Sequence, residues 1–369
     1  MTEQIAPAIA NEAPDAAYLD AALTRAGRGG GPTGPIRAER LDGGRTGVAV
    51  SSLRVADGAC FVLKVIPHQR AFNVALANGG EAAAWWLGTT RTLPPPLGNP
   101  AIDVAYHAGR EEWWLLMDDV SAGIVSRANW AEDHTRGLFE GLARLHAAHW
   151  DCAKDALPGI ADLTRTTGLL AEIALYEGTG TARAAWVPAA AEAFQVPRFL
   201  LPAFLEAAGP DNAAFYLDLL RRWPDITAAL EAQPPTLLHG DLRRANIAFS
   251  ERRVQLFDWE LAARGAAAAD LTWHWFLHFW AYPPDDGRAA EDRLWLRDAY
   301  LDALDRALDH PVDRGDFAVA WDLGLLRVFC QLGFVLADGL TGDAADPRRR
   351  AIHRAFAKAR KLSHDHLAH

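Results

Sequence analysis

The chain is poor in cysteine. Three cysteines occur among its 369 residues, at Cys60, Cys152 and Cys330. They are odd in number and far apart, so they provide neither the pairs of a disulfide framework nor the short spacing of a zinc site. We therefore expect reduced thiols and a cytoplasmic protein.

Basic side chains are in the minority. The sequence has 37 Lys and Arg against 47 Asp and Glu, which gives a formal net charge of −10. Phosphate backbones and anionic lipid surfaces attract an excess of positive charge. This balance argues against nucleic acid and membranes as partners.

Long apolar runs are also missing. The most hydrophobic stretch, residues 323–336, is interrupted by Arg327 and Gln331. A membrane-spanning helix needs about 20 predominantly apolar residues, so none is predicted. Residues 1–13 carry Glu3 and Glu12 and lack the basic and then apolar order of a signal peptide.

What the chain does contain is typical of a packed globular protein, because half of its residues are hydrophobic and 23% are charged. Before residue 118 the pattern indicates strands, with an Asp57-Gly58 hairpin turn and one helix over residues 72–87. The predicted strands lie at residues 48–55, 59–66, 102–107 and 112–117. Helical periodicity dominates the rest, except for residues 236–261, which predict two short strands and a loop.

One motif carries the chemistry. His239-Gly240-Asp241 is followed by Asn246 and, further along the chain, by Asp258. Phosphoryl transfer needs one carboxylate to orient the attacking hydroxyl and oxygen ligands to hold Mg²⁺ against the nucleotide phosphates. Asp241 suits the first role, and Asn246 and Asp258 suit the second. Since Asp241 and Asn246 end one tight loop, and Asp258 follows a short strand, we expect all three to face one cavity.

These residues resemble the catalytic loop and metal-binding segment of the aminoglycoside phosphotransferase and choline kinase group of small-molecule kinases. The resemblance covers roughly residues 36–280. It implies an α+β, protein-kinase-like bilobal fold, with an antiparallel sheet and a helix in a small N-terminal lobe and a larger, mainly helical C-terminal lobe. We place the nucleotide-binding lobe at residues 1–117 and the lobe with the catalytic loop and acceptor pocket at residues 118–369.

The resemblance also implies how the N-terminal lobe binds ATP. Lys64, on a predicted strand, matches the phosphate-binding lysine, and Glu81 on the predicted helix is expected to pair with it. Gly43, Gly44 and Gly47 match the turn that covers the phosphates, although an ordinary hairpin turn explains them equally well. Met117 and Asp119 fall where the family binds adenine through the backbone between the lobes.

Neighbouring residues admit more than one interpretation. Arg243 could neutralise the transferring phosphoryl group or form a surface ion pair. His239 is expected to be structural, and Asp270 is expected to cap the following helix and brace the catalytic loop. Three tryptophans, Trp273, Trp275 and Trp280, could form a cation-binding box. Aromatic residues at helix spacing, however, usually pack in the core.

The sequence therefore predicts an ATP- and Mg²⁺-dependent phosphotransferase that acts on a hydroxyl of a small molecule. An aminoglycoside-like antibiotic or a sugar is the first expectation for the acceptor. Choline or another amino alcohol is the alternative, as is a nucleotide-binding pseudokinase without turnover. The sequence predicts no oligomeric state.

Overall fold

The computed structural model describes most of the chain. The described residues are 14–28, 35–41, 48–69, 75–76, 80–250, 253–284, 288–341, 343 and 345–367. The predicted phosphate-covering glycines, Gly43, Gly44 and Gly47, lie outside them.

The N-terminal lobe is built on an antiparallel sheet. The strands in this part of the chain are β1 (Ile36–Arg40), β2 (Ala49–Val55), β3 (Cys60–Pro67), β4 (Leu97–Gly98), β5 (Ala101–His107) and β6 (Glu112–Asp118). All except β4 belong to one five-stranded sheet, in the order β1-β2-β3-β6-β5. The predicted Asp57-Gly58 turn joins β2 to β3, where Gly58 has a φ of 94° that suits glycine.

Two helices cover this sheet. Helix α1 (Ala16–Arg25) begins after Asp15, whose carboxylate accepts a hydrogen bond from the Tyr18 backbone N–H at 2.8 Å. Its apolar stripe packs with Trp114, and the rings of Tyr18 and Trp114 meet edge to face with centroids 5.0 Å apart. Helix α2 (Gly80–Trp86) packs through Trp85 in a separate cluster with Leu115 and Met117. The lobe thus has a hydrophobic layer on each side of its sheet.

The C-terminal lobe is mainly helical, as expected. Its helices are α3 (Glu132–Ala148), α4 (Leu163–Thr179), α5 (Val187–Ala193), α6 (Val196–Ala208), α7 (Pro210–Arg221), α8 (Trp223–Glu231), α9 (Ala268–Trp275), α10 (Trp295–Leu308), α11 (Arg314–Leu332) and α12 (Pro347–Leu367). One large hydrophobic core joins all of them except α5, whose Ala190 and Ala191 lie in a separate cluster with Leu169 and Ile173 of α4. The fold is therefore α+β and bilobal.

Helix α11 and the turn after it run through that core. The segment Arg314–Ala337 has the length and hydropathy of a membrane span, but 89% of its most apolar window is buried inside the protein. Arg327 within it is buried and donates from Nε to the Thr167 hydroxyl at 2.9 Å. The apolar surface of this helix is thus covered by other parts of the chain.

Short strands position the catalytic motif. They are β7 (Ala161–Asp162), β8 (Pro235–Leu238), β9 (Ile247–Ser250), β10 (Arg253–Leu256) and β11 (Ala263–Ala266). Strand β8 pairs with β11, and β9 pairs with β10, both antiparallel. The loop from β8 to β9 and the loop from β10 to β11 therefore emerge next to each other, which brings two distant pieces of the motif together.

Candidate active site

The loop after β8 turns sharply at Gly240. Its φ is 83°, and a Cβ placed there would lie 1.9 Å from the carbonyl oxygen of Leu261. Any other residue would both strain the backbone and overlap that oxygen. Gly240 thus allows the catalytic loop to pack directly against the segment that carries Asp258.

Asp270 binds the beginning of this loop. Its carboxylate accepts hydrogen bonds from the backbone N–H groups of His239 at 2.7 Å and Gly240 at 2.8 Å. Burial alone would raise the pKa of Asp270, but His146 and these donors hold it below its usual value. Asp270 lies inside α9, whose N-cap is Ala267. It therefore braces the loop as expected, whereas the expectation that it caps the helix is wrong.

His239 joins the two loops. Its Nδ1 accepts from the Asp241 backbone N–H at 3.2 Å, so the proton lies on Nε2, which donates to the Phe257 carbonyl at 3.1 Å. The side chain is fully buried against the ring of Trp259. These contacts fit the structural role expected for His239.

Asp241 is bonded on both of its carboxylate oxygens. Oδ2 accepts from Asn246 Nδ2 at 2.9 Å and lies 3.2 Å from Arg243 Nε. Within the described part of the chain, Oδ1 accepts one hydrogen bond, from Trp273 Nε1 at 3.1 Å. A carboxylate oxygen has about two acceptor positions, so Oδ1 retains room for one more donor.

Trp273 is a contact that sequence reasoning missed. It lies on α9, 32 residues after Asp241, and no local spacing rule connects the two. Trp275, by contrast, packs in the core against Phe279 and Trp321. Because these neighbouring tryptophans have different surroundings, they do not share one aromatic box.

Lys64 binds two carboxylates from different parts of the chain. Its Nζ lies 2.5 Å from Glu81 Oε2 and 2.6 Å from Asp258 Oδ1. Burial would lower the pKa of Lys64, but the negative charges of Asp258, Glu81 and Glu260 raise it above its ordinary value. Lys64 is therefore charged, and it connects the sheet of the N-terminal lobe to the motif of the C-terminal lobe.

Glu81 and Asp258 are themselves held in place. The second oxygen of Glu81 accepts from the backbone N–H of Trp259 at 3.2 Å. Asp258 has a left-handed backbone, with a φ of 66°, which is uncommon outside glycine, Asn and Asp. Although burial opposes its ionisation, Lys64 and Arg243 keep the pKa of Asp258 well below its usual value. The carboxylate is thus a fixed negative charge.

The contacts of Arg243 indicate that this site suits a cation. Its guanidinium contacts Asn246 Oδ1 at 3.2 Å and Asp258 Oδ2 at 3.4 Å. The oxygens predicted to hold Mg²⁺ thus already converge on one positive group, and amide and carboxylate oxygens are ligands that Mg²⁺ prefers. Among the described residues no three His, Cys, Asp or Glu side chains form a separate metal cluster. Asn246 and Asp258 therefore fit a metal that arrives with nucleotide phosphates.

Met117 and Asp119 lie at the end of β6, where the chain passes between the lobes. Met117 pairs with Val62 on the neighbouring strand β3. Because Val62 is two residues from Lys64, Met117 and Lys64 lie on the same face of the sheet. Asp119 accepts a hydrogen bond from the Ser121 backbone N–H at 2.9 Å, which turns the chain after the strand. Both residues are on the side of the sheet that carries Lys64.

A cavity of about 500 Å³ opens beside these groups. Asp241, Arg243 and Asp258 are among the residues that line it. Residues of α9 and of the turn after α11, among them Trp273 and Val335, also line it. This volume is in the range of pockets that bind small molecules.

Substitution of Gly240 tests the turn. Gly240→Ala is expected to lower the free energy of unfolding by about 3 kcal/mol or more, because strain and overlap add. Gly137 in α3 is the matched control, since a Cβ there meets nothing within 4 Å. Gly137→Ala is expected to raise stability by about 0.5–1 kcal/mol. Urea unfolding measures both, and equal effects of the two substitutions would contradict this account of the turn.

The solved structure of a choline kinase shares this fold, and other solved kinase structures are similar to the chain at TM-scores under 0.5. A choline kinase from Cryptosporidium parvum Iowa II superposes with a TM-score of 0.54 at 9% identity, over 90% of each chain. An ethanolamine kinase from Plasmodium vivax gives 0.49 at 10% identity, over 89% of this chain and 84% of that one. An aminoglycoside-3'-phosphotransferase of type VIII gives 0.47 at 21% identity, over 83% and 97%. At such low identity these similarities concern the fold.

Comparison with curated proteins gives no significant match. A model of the phosphotransferase enzyme family, by contrast, matches residues 53–314. The match spans the sheet from β2 onwards, Lys64, Glu81 and the whole catalytic motif, and it covers well over half of the chain. The chain is therefore a member of the phosphotransferase enzyme family.

Proposed function

We propose that this protein transfers the γ-phosphoryl group of ATP to a hydroxyl of a small molecule, with Mg²⁺. The observation that carries the proposal is the convergence of Lys64, Glu81, Asp241, Asn246 and Asp258 through contacts of 2.5–3.4 Å in which Arg243 takes part, beside a cavity that Asp241 and Asp258 line. Each of these side chains suits a role that phosphoryl transfer needs.

The nucleotide phosphates lie, in this proposal, between the lobes. Lys64, held by Glu81, donates to the phosphate oxygens, while Met117 and Asp119 border the adenine. Asn246 and Asp258 hold Mg²⁺, which neutralises charge on the phosphates. Because Lys64 and Asp258 are already in contact, the cation and the acid need little rearrangement to bind a metal-nucleotide.

Asp241 acts on the acceptor. Its Oδ1, which accepts one hydrogen bond from Trp273, accepts a second from the acceptor hydroxyl and directs the oxygen toward the γ-phosphorus. As the new P–O bond forms, the bond to the β,γ-bridging oxygen breaks, ADP leaves and the hydroxyl proton passes to Asp241. A carboxylate is a weak base, so alignment contributes more than proton abstraction. Arg243 neutralises negative charge on the transferred group.

Turnover is favoured over a pseudokinase by the charged residues themselves. The lysine, its glutamate partner, the predicted base and both predicted metal ligands are present and within reach of each other. A protein that binds nucleotide without catalysing phosphoryl transfer does not need a hydrogen-bonded carboxylate such as that of Asp241 on the wall of an acceptor cavity.

ADP release measured with a coupled assay tests the proposal. The panel comprises aminoglycosides, other antibiotics, sugars, amino sugars, choline analogues and hydroxy acids, each with and without Mg²⁺. We expect magnesium-dependent ADP release above the rate of ATP hydrolysis for at least one acceptor class, and phosphorylated product by mass spectrometry. Nucleotide binding by calorimetry without turnover on any acceptor would instead support the pseudokinase.

A further inference from the structure

Parts of the cavity have apolar walls. Helices from several parts of the C-terminal lobe supply them, through Leu170, Phe194, Val196, Leu277, Leu332 and Val335. These six side chains offer a polycationic aminoglycoside no charge to replace the water that it would lose against them. The walls fit a hydrocarbon part of an acceptor.

Arg244 introduces a positive charge into the same cavity. Its side chain is half-buried on the cavity wall, three residues after Asp241. Nη1 donates to Nδ1 of His278 at 2.6 Å. In the part of the chain that the structure describes, Arg244 has no carboxylate partner. Arginine remains charged in proteins and has five N–H donors, so most of its hydrogen-bonding capacity is available to a ligand.

The surroundings of Arg244 disfavour its positive charge, so an anion bound beside it would relieve an unfavourable interaction. Burial and then the nearby charge of Arg127, which also lines the cavity, lower the pKa of Arg244. His278 accepts the hydrogen bond of Arg244 as a neutral ring, because burial, His274 and the arginines lower its own pKa to about 2. His278 lies in a π-helical turn, Phe276–Ala281, a feature that is frequent at functional sites.

The acidic residues of the cavity have other contacts. Asp338 accepts from the Tyr282 hydroxyl at 2.7 Å. Glu260 acts electrostatically on Lys64 and Arg243, at the nucleotide end. In the contacts of the described residues neither of these carboxylates is paired with Arg244, so Arg244 is a positive group on a largely apolar wall.

We propose that the acceptor is an amphiphilic hydroxy acid, whose carboxylate or phosphate binds Arg244 and Arg127 and whose hydrocarbon part packs against the apolar walls. The hydroxyl then reaches Asp241. This inference rests on the proposed phosphotransfer and specifies its acceptor. Guanidinium groups suit it because they bind carboxylates and phosphates through paired hydrogen bonds.

Matched ligands test the charge requirement. Hydroxydecanoates with the hydroxyl at successive carbons are compared with their methyl esters, with hydroxydecyl phosphates and with hydroxydecylamines. Binding is measured by calorimetry in the presence of Mg²⁺ and a non-hydrolysable ATP analogue, and turnover by ADP release. We expect the anionic compounds to bind at least about 10-fold more tightly than the esters, with the amines weakest. The carboxylate and phosphate series show which anion is preferred.

Substitutions test the residue. Arg244→Met is expected to raise KM for the best acid about 30-fold with little change in kcat, and to leave the ester unaffected. Arg244→Lys should restore part of the affinity. Arg127→Met, at an exposed position, provides a second variant and is expected to act in the same direction. Arg136→Met, on the exposed face of α3, is the control.

Two readouts separate the acceptor from the reaction. Acids that bind through Arg244 but are never phosphorylated would overturn the proposed phosphotransfer and retain the binding site. Phosphorylation of an amine or a neutral ester in preference to every acid would overturn the inference about the acceptor and support the proposed phosphotransfer. Absence of binding by all acids, or an unchanged KM in both arginine variants, would overturn the inference.

Discussion

Asp241→Asn is expected to lower kcat by about 10³-fold, within the range that a positioned general base contributes. The amide retains an oxygen for Trp273 but cannot accept the hydroxyl proton. Its NH₂ group would also face the donors of Asn246 and Arg243, which now meet a carboxylate oxygen. Steady-state ADP release on the best acceptor measures the effect.

Nucleotide binding distinguishes a loss of chemistry from a loss of the site. Asp241 lies toward the acceptor, so the dissociation constant for Mg-ATP in Asp241→Asn should change less than about threefold. Asp133→Asn on α3 is a suitable control, because that side chain is 79% exposed and pairs with Arg136 alone among the described residues. Full turnover by Asp241→Asn would show that this carboxylate is not the catalytic group.

Asp258→Asn is expected to lower kcat/KM by on the order of 10³–10⁴-fold, because a bound metal contributes several kcal/mol to phosphoryl transfer. Asn is the appropriate replacement because it tolerates the left-handed backbone found at this position, where φ is 66°. The change therefore removes negative charge without adding backbone strain. Lys64 keeps Glu81 as a partner at 2.5 Å.

Calorimetry with and without Mg²⁺ shows how this variant fails. We expect nucleotide affinity in Asp258→Asn to lose its dependence on Mg²⁺, whereas Asp241→Asn retains it. Thermal unfolding checks that both variants are folded. If magnesium still strengthened nucleotide binding in Asp258→Asn as it does in the unchanged protein, Asp258 would not be a metal ligand.

The catalytic motif could be predicted from the sequence because its geometry is local. His239, Asp241 and Asn246 lie in the one loop that joins β8 to β9. Asp258 follows β10, which forms a hairpin with β9. The backbone can place such side chains together with little help from distant residues. The lysine and glutamate of the N-terminal lobe were predicted only through resemblance to a family, since nothing local connects them to the loop.

Contacts made through tertiary packing could not be predicted in this way. Trp273 and Asp270 reach the catalytic loop from a helix about 30 residues further along the chain. The pattern indicated a helix there, but the face that meets the loop depends on how α9 packs against α11. The sequence pattern likewise does not fix where α3 begins, at Glu132, because the first turn of this helix lacks an apolar period.

The acceptor cavity extends beyond the part of the chain that defines the family. The family match ends at residue 314, whereas Leu332, Val335 and Asp338 lie on the segment that follows. Selection can therefore alter what is phosphorylated without touching the machinery that phosphorylates it. Relatives with identical motifs but unrelated C-terminal helices should be grouped by those helices when their acceptor substrates are assigned. Exchange of residues 315–367 between two such enzymes should exchange their acceptor preferences.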